Sequence, residues 1–144
     1  MFLTAITGGG AFPMLEKTLA FAEARNRMLA NNIANIDTPG FRAGQLDVSA
    51  FQAALREASA RRERPGDRFK LDESREIRTN ELGHLETSPS LEPVDNLLFH
   101  DGTNARIERQ MADLAENTMM HQVSTELLKG YYDGMGKAIR GRLR

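Results

Sequence analysis

Two long stretches of the chain place hydrophobic residues at helical spacing, one towards each end. The first starts near Pro13, a residue suited to a first helical turn, and its seam positions alternate by four and three residues. They are Leu15, Leu19, Ala22, Asn26, Leu29, Ile33 and Ile36. The charged residues assigned to the opposite side are Lys17, Glu23, Arg25 and Arg27. The pattern predicts an amphipathic helix with a narrow seam and a charged, solvated face.

The second stretch keeps the same alternation for longer. Its seam positions are Ile107, Met111, Leu114, Thr118, His121, Thr125, Leu128, Tyr132, Met135 and Ile139. A second row widens the apolar face and consists of Met120, Val123, Leu127, Tyr131, Gly134 and Ala138. A helix from about Asn104 to about Arg140 would measure roughly 50 Å, longer than a compact domain of this size needs. We therefore expect an elongated subunit with contacts on more than one side.

Between the two helices the sequence favours turns and short elements. Asp37-Thr38-Pro39-Gly40 is a strong turn signal that ends the first helix. Ser49 is the predicted cap of a short helix through Phe51 and Leu55, and 61–67 receives no assignment. We divide the chain into an N-terminal helix (1–40), a loop-rich middle with a short helix (41–103) and a C-terminal helix (104–144). The predicted fold class is mainly α.

Composition narrows the function classes. The 144 residues contain 19 basic and 20 acidic side chains, a balance that disfavours nucleic acid as the main partner. The absence of Cys excludes disulfides, thiolate catalysis and cysteine-bound metals. No apolar run approaches the roughly 20 residues of a transmembrane helix, and Met1 to Pro13 lacks the features of a cleavable signal peptide.

Candidate chemistry is sparse. His84, His100 and His121 are too far apart in sequence to form a helical metal-binding pair. Gly8-Gly9-Gly10 is not followed by the Lys and Ser or Thr of a phosphate loop. We therefore predict no cofactor, no metal site and no catalytic residue, and a protein that is not an enzyme.

The end of the first helix is unusual because three asparagines lie at Asn31, Asn32 and Asn35, against their low helix propensity. Capping at a helix end explains Asn35, but Asn31 and Asn32 lie a full turn earlier. The alternative is that these amides form hydrogen bonds in a packed structure, where buried polar groups need partners and fix the register.

This segment resembles the signature of the bacterial flagellar axial proteins of the rod and hook. The matching residues are Leu29, Asn31, Asn32, Ile33, Asn35, Thr38, Pro39, Gly40 and Phe41. The stretch from Met111 to Asn117 and the helix after it resemble the C-terminal helix of the same family. Because hook and distal-rod members have much larger inserts, this short chain is most similar to a proximal rod subunit.

The resemblance implies terminal helices paired as an antiparallel coiled coil, and assembly into the tubular rod of the flagellar basal body, the drive shaft and export channel for motility. It implies export through the flagellar type III apparatus without a cleaved signal peptide, and assembly in the periplasm. The implied partners are further copies of the chain, the rod proteins FlgC, FlgF and FlgG, the rod-to-ring adaptor FliE, the membrane ring and the export apparatus.

We expect the two seams to pack against each other within one subunit, while the remaining apolar faces contact neighbouring subunits. The assembly residues named on this basis are Leu15, Leu19, Ala22, Asn26, Ile36, Ile107, Met111, Leu114, Leu128, Tyr132, Met135 and Ile139. Two alternatives stay open: another short rod subunit similar to FlgC, and a helical export adaptor or chaperone that forms a discrete dimer.

Overall fold

The subunit consists of two long helices and a small middle region. A computed structural model describes residues 11–61, 69–91 and 102–141, the first four residues of the last range by their backbone alone. The helices are α1 (Ala11–Ala34), α2 (Val48–Ala60) and α3 (Gly102–Ile139). The strands are β1 (Gly44–Gln45), β2 (Ile77–Thr79), β3 (Leu85–Thr87) and β4 (Ser90–Leu91). Helices α1 and α3 pack side by side, so the predicted mainly α fold with paired terminal helices is confirmed.

Helix α1 ends at Ala34, two residues before Ile36, the last predicted seam position, and the predicted turn follows. The Asn35 amide still donates to the Asn31 carbonyl at 3.2 Å, but the following bonds are turn-like, with the Thr38 amide 2.9 Å from the Asn35 carbonyl. Pro39 disfavours helical backbone at Thr38, and Gly40 adopts a φ of +78° that side chains rarely tolerate. The chain therefore leaves the helix axis and returns along α1 as β1.

Helix α3 has 38 residues and is about 57 Å long at 1.5 Å per residue. It ends at Ile139, and Gly141, with a φ of +65°, forms a glycine cap because its amide donates a hydrogen bond to the Ala138 carbonyl at 3.2 Å. Its length, together with the 24 residues of α1, gives the subunit its elongated form.

The middle region contains one helix and two small antiparallel sheets. Asp47, not the predicted Ser49, is the N-cap of α2, and its Oδ1 accepts from the Ala50 amide at 2.9 Å. Asp47 lies in the position before the helix, where a side-chain oxygen reaches the free amides of the first turn. The sheets pair β1 with β4 and β2 with β3, and the sequence analysis did not predict these strands.

The apolar core lies on one side of α1, between α1, α2 and the β2–β3 hairpin. Its centre is Phe21, which stacks on Phe51 with the ring centroids 4.0 Å apart and the planes 3° from parallel. The buried residues around this pair are Leu46, Leu55, Ala58, Leu71 and Ile77. Helix α3 contacts another side of α1, so α1 is covered by the middle region and by α3.

The solvated charged face predicted for α1 is only half correct. Glu23 and Arg27 are exposed and pair with each other, as expected of a surface (i, i+4) pair. Lys17 and Arg25, in contrast, are 7% and 8% exposed. They are buried because α1 is covered on two sides, and each has a partner: the Gly83 carbonyl for Lys17 and the Asp113 carboxylate for Arg25.

Candidate functional site

Asn32 joins three segments of the chain at the C-terminal end of α1. It is 3% exposed, and its Nδ2 donates to the Gly44 carbonyl at 2.8 Å while its Oδ1 accepts from the Gly44 amide at 2.9 Å. The side-chain amide thus pairs with the Gly44 peptide as a neighbouring strand would. Nδ2 also lies 3.2 Å from Oε1 of the buried Gln110 of α3. Asn32 therefore fixes α1, β1 and α3 relative to one another.

The other two asparagines act locally. The Asn35 side chain donates to the Asn31 carbonyl at 2.9 Å and to the Asn31 Oδ1 at 3.0 Å, and all of these groups are exposed. The Thr38 hydroxyl lies 3.4 Å from the Asn35 Oδ1. These contacts satisfy carbonyls of the last helical turn, which have no partner within the helix. Asn31 and Asn35 therefore form the cap and the turn, and Asn32 alone is buried.

A second buried amide connects the helices about two turns further along α3. Asn117 of α3 is fully buried, and its Nδ2 donates to the Ala22 carbonyl at 2.7 Å and to the Asn26 Oδ1 at 2.8 Å. Its own Oδ1 has no hydrogen-bond partner among the described residues. Asn26, the polar member of the predicted seam, thus meets a polar partner across the helix interface.

Further contacts show that α3 runs antiparallel to α1 along the length of α1. Arg25 lies 3.6 Å from Asp113. At the N-terminal end of α1 the centroid of the Phe12 ring lies 5.3 Å from that of Tyr131 and 5.4 Å from that of Tyr132. The Phe12 and Tyr132 rings meet edge to face. Ascending positions of α1 meet descending positions of α3, and the polar pairs select one register because a shift would leave buried amides unpaired.

The structure places the predicted seam of α1 inside the fold. Ala22 and Leu29 are buried, and none of the other positions is exposed; they are Leu15, Leu19, Asn26, Ile33 and Ile36. Of the turn residues, Phe41 is half-buried, while Thr38, Pro39 and Gly40 are exposed.

On α3 the predicted seam positions form two alternating sets. The first set faces α1, and the second touches α1 through Tyr132, which contacts Phe12. Five positions spaced by seven residues are half-buried: Ile107, Leu114, His121, Leu128 and Met135. The alternate positions lie further round the helix, and Met111, Tyr132 and Ile139 are 57%, 52% and 71% exposed. Their place is taken by the residue before each, including the buried Gln110, Asn117 and Ser124. At Gln110 the intramolecular seam thus contains a polar residue while the neighbouring apolar Met111 stays outside.

The sequence analysis missed these polar seam residues and the second covered side of α1. Gln110, Asn117 and Ser124 repeat every seven residues, a period that could have identified them despite their polarity. Met14, Phe21 and Met28 also repeat every seven residues and face the core of the middle region. That second apolar row could have predicted that α1 is covered on two sides.

The described residues offer no other chemical centre. Among them no three His, Cys, Asp or Glu side chains come together as a metal site requires. No helix in this part of the chain is both long enough and apolar enough to cross a membrane. The site that the geometry does define is a set of buried amides that set helix register.

Comparison with known proteins gives a consistent result. The family model described as flagella basal body rod protein matches residues 17–42, which include the buried Asn32 and the turn after α1. A flagellar basal body rod protein FlgB of Cereibacter sphaeroides is 30% identical, over 87% of this chain and 90% of the relative. The FlgB of Bacillus subtilis is 26% identical over 92% of this chain and 95% of the relative, and that of Yersinia enterocolitica is 29% identical over 88% and 90%. No solved structure matches.

The family-model match at the end of α1, together with the paired terminal helices, defines a helical structural protein of the flagellar rod class. Within that class, the chain belongs to the family of the flagellar basal body rod protein FlgB.

Proposed function

We propose that this protein is a structural subunit of the proximal rod of the bacterial flagellar basal body and polymerises through its helices into a tube. Family membership and the paired terminal helices support this function. The tube would transmit torque and enclose the channel through which later subunits pass. The subunit would act by packing, without catalysing a reaction.

The observation that argues most strongly for assembly is the outer face of α3. Met119, Val123 and Leu127 follow one another at intervals of four residues, in a row that starts opposite the positions facing α1 and turns towards one flank of the helix, and are 65%, 59% and 55% exposed. A long helix with apolar residues on both sides is typical of an element that is covered by neighbours. Burying one such side chain contributes about 1.5 to 3 kcal/mol, so a few contacts per neighbour suffice to drive assembly.

The finer assignments follow from the same proposal. The neighbours would be further copies of the chain, the rod proteins FlgC, FlgF and FlgG, the adaptor FliE and the membrane ring. The chain would reach the periplasm through the flagellar type III export apparatus without a cleaved signal peptide. Residues of the intramolecular seam would form the subunit, and exposed residues such as Met111 and Ile139 would contact the neighbours.

Substitutions at two adjacent residues of α3 distinguish a role in folding from a role in assembly. Leu128 is half-buried and belongs to the row that faces α1, whereas Leu127 is exposed on the outer face. Leu128→Asp should lower the free energy of unfolding of the purified subunit and abolish incorporation, because a carboxylate would enter the helix interface. Leu127→Asp should leave the free energy of unfolding within about 0.5 kcal/mol and still abolish incorporation.

The matched control is Gln122→Asp, which introduces the same charge at an exposed polar position of the same helix. Each variant is expressed in a strain that lacks the gene, and swimming and the composition of purified basal bodies are measured. Normal motility of the Leu127→Asp strain would show that the outer face of α3 has no neighbour. A discrete dimer by light scattering, unchanged with concentration, would instead favour a helical adaptor or chaperone.

A further inference from the structure

The tip of the β2–β3 hairpin presents one apolar side chain on a firmly held turn. Leu82 is 83% exposed, the highest value for a large hydrophobic residue among those described. Around it, the Gly83 amide donates to the Asn80 carbonyl at 2.9 Å, and the His84 amide donates to the Asn80 Oδ1 at 2.8 Å. The buried Lys17 of α1 donates to the Gly83 carbonyl. Single exposed leucines are common, but this one is held in place by α1.

An open groove of about 460 Å³ lies beside the C-terminal half of α1. Its walls combine apolar side chains with two arginines, Arg27 and Arg42. The apolar part of the lining comes from Ala24, Met28, Phe41, Pro89 and Leu91. Such a surface suits a branched apolar side chain that has an acidic neighbour.

The Leu82 tip and the groove lie at opposite ends of the same hairpin. Thr87, which lines the groove, is five residues from Leu82, a span of about 16 Å along a strand. Along α1, Lys17 holds the tip and Met28 lines the groove, and these residues are also about 16 Å apart at 1.5 Å per residue. Leu82 therefore cannot reach the groove of its own chain.

We propose that Leu82 of one subunit inserts into this groove on a second copy of the same chain, with Glu81 next to Arg27 and Arg42. Glu81 and Arg42 are both exposed, and their opposite charges would orient the contact. Because the tip and the groove are different surfaces, the contact is head to tail and can repeat without closing. The inference rests on the proposed rod function and names one contact through which the rod grows.

Cysteine cross-linking tests this contact directly, because the natural chain contains no Cys. A Leu82→Cys, Leu91→Cys chain, expressed in a strain that lacks the gene, should give a ladder of covalent dimers, trimers and higher species in oxidised basal bodies. The two single variants should give no cross-linked species, because each contact then holds only one thiol. The matched control is Leu82→Cys with Gln52→Cys, an exposed position on α2 that does not line the groove, and it should give no ladder.

Other results would overturn the proposal. They are basal bodies that contain the double variant without a ladder, an intramolecular disulfide in the monomer, and a mixed disulfide with a different rod protein. If the cysteine variants fold poorly, charge reversal answers the same question. Glu81→Arg and Arg42→Glu should each reduce swimming at least twofold, and their combination should restore it. A combination no better than the single variants would exclude the contact. Absence of the wild-type chain from basal bodies would instead contradict the proposed function itself.

Discussion

Replacing Asn32 by alanine tests the register site most sharply. The change removes two hydrogen bonds to the Gly44 peptide and one to Gln110. At about 1 kcal/mol net for each bond, the expected loss is about 3 kcal/mol in the free energy of unfolding. That is a large share of the stability of a domain of this size. Of the groups that remain, Gln110 is buried and Gly44 is half-buried, so water replaces the lost partner only in part.

Asn31→Ala is the matched control, because it makes the same chemical change one residue earlier on an exposed position. Both substitutions gain the same helix propensity, which therefore cancels between them. Asn31 accepts only one exposed side-chain hydrogen bond at its Oδ1, so its replacement should cost less than about 0.5 kcal/mol. The two variants should differ by about 2 to 3 kcal/mol.

Urea unfolding of the purified subunit, monitored by far-UV circular dichroism, measures this difference if the free energy of unfolding falls with urea concentration at the same slope in both variants. Asn32→Asp adds a further check: its carboxylate still accepts from the Gly44 amide but faces the Gly44 carbonyl without a donor. It should be less stable at neutral pH than the alanine variant. If Asn32→Ala unfolded within about 0.5 kcal/mol of Asn31→Ala, the reasoning about buried amides would be refuted.

Three further predictions concern the interior of the subunit. Asn117→Asp should lower the free energy of unfolding in urea by more than about 2 kcal/mol, because the carboxylate cannot donate to Ala22 or Asn26. Replacing both Asn26 and Asn117 by Leu should lower it little. An equal loss of free energy in the two variants would contradict this reasoning. Phe21→Ala should cost about 3 to 5 kcal/mol, seen as a lower thermal midpoint, because it removes the ring stacked on Phe51; an unchanged midpoint would exclude this core. Burial lowers the pKa of Lys17 from its ordinary value of 10.5. In the alkaline range the unfolded chain therefore binds more protons than the folded chain, and the free energy of unfolding should rise with pH up to about 10.5. Lys17→Met should lose this rise, and an identical pH profile would show that the amine is not desolvated.

The sequence predicted the helices well because their signals are local. Pro39 and Gly40 mark the turn after α1 by backbone preference, and the four-three spacing of α3 extends without a break although three of its central positions are polar. Periodicity also pointed to Asn31 and Asn32 as residues that need partners, since their helix propensity is poor. It could not say which of the two is buried, because that depends on where the Gly44 peptide returns to α1.

The prediction from the sequence was wrong where the packing partner decides which of two neighbouring helix faces is buried. On α3 the apolar Met111 and the polar Gln110 lie 100° apart, and hydrophobicity favours the first. The fold buries Gln110, because its amide meets Asn32, and leaves Met111 outside. The burial of Lys17 and Arg25 likewise depends on a hairpin and a helix that are distant in sequence. Side-chain polarity therefore predicts an interface poorly when a chain has both internal and external contacts.

The composition of the basal body tests the central claim most directly. Hook–basal bodies purified from the wild type and from a strain that lacks this gene are compared by quantitative mass spectrometry and electron microscopy. The account predicts that the chain is a stoichiometric component and that no rod forms in its absence. A chain found only in the cytosol, with intact rods in the deletion strain, would contradict the account.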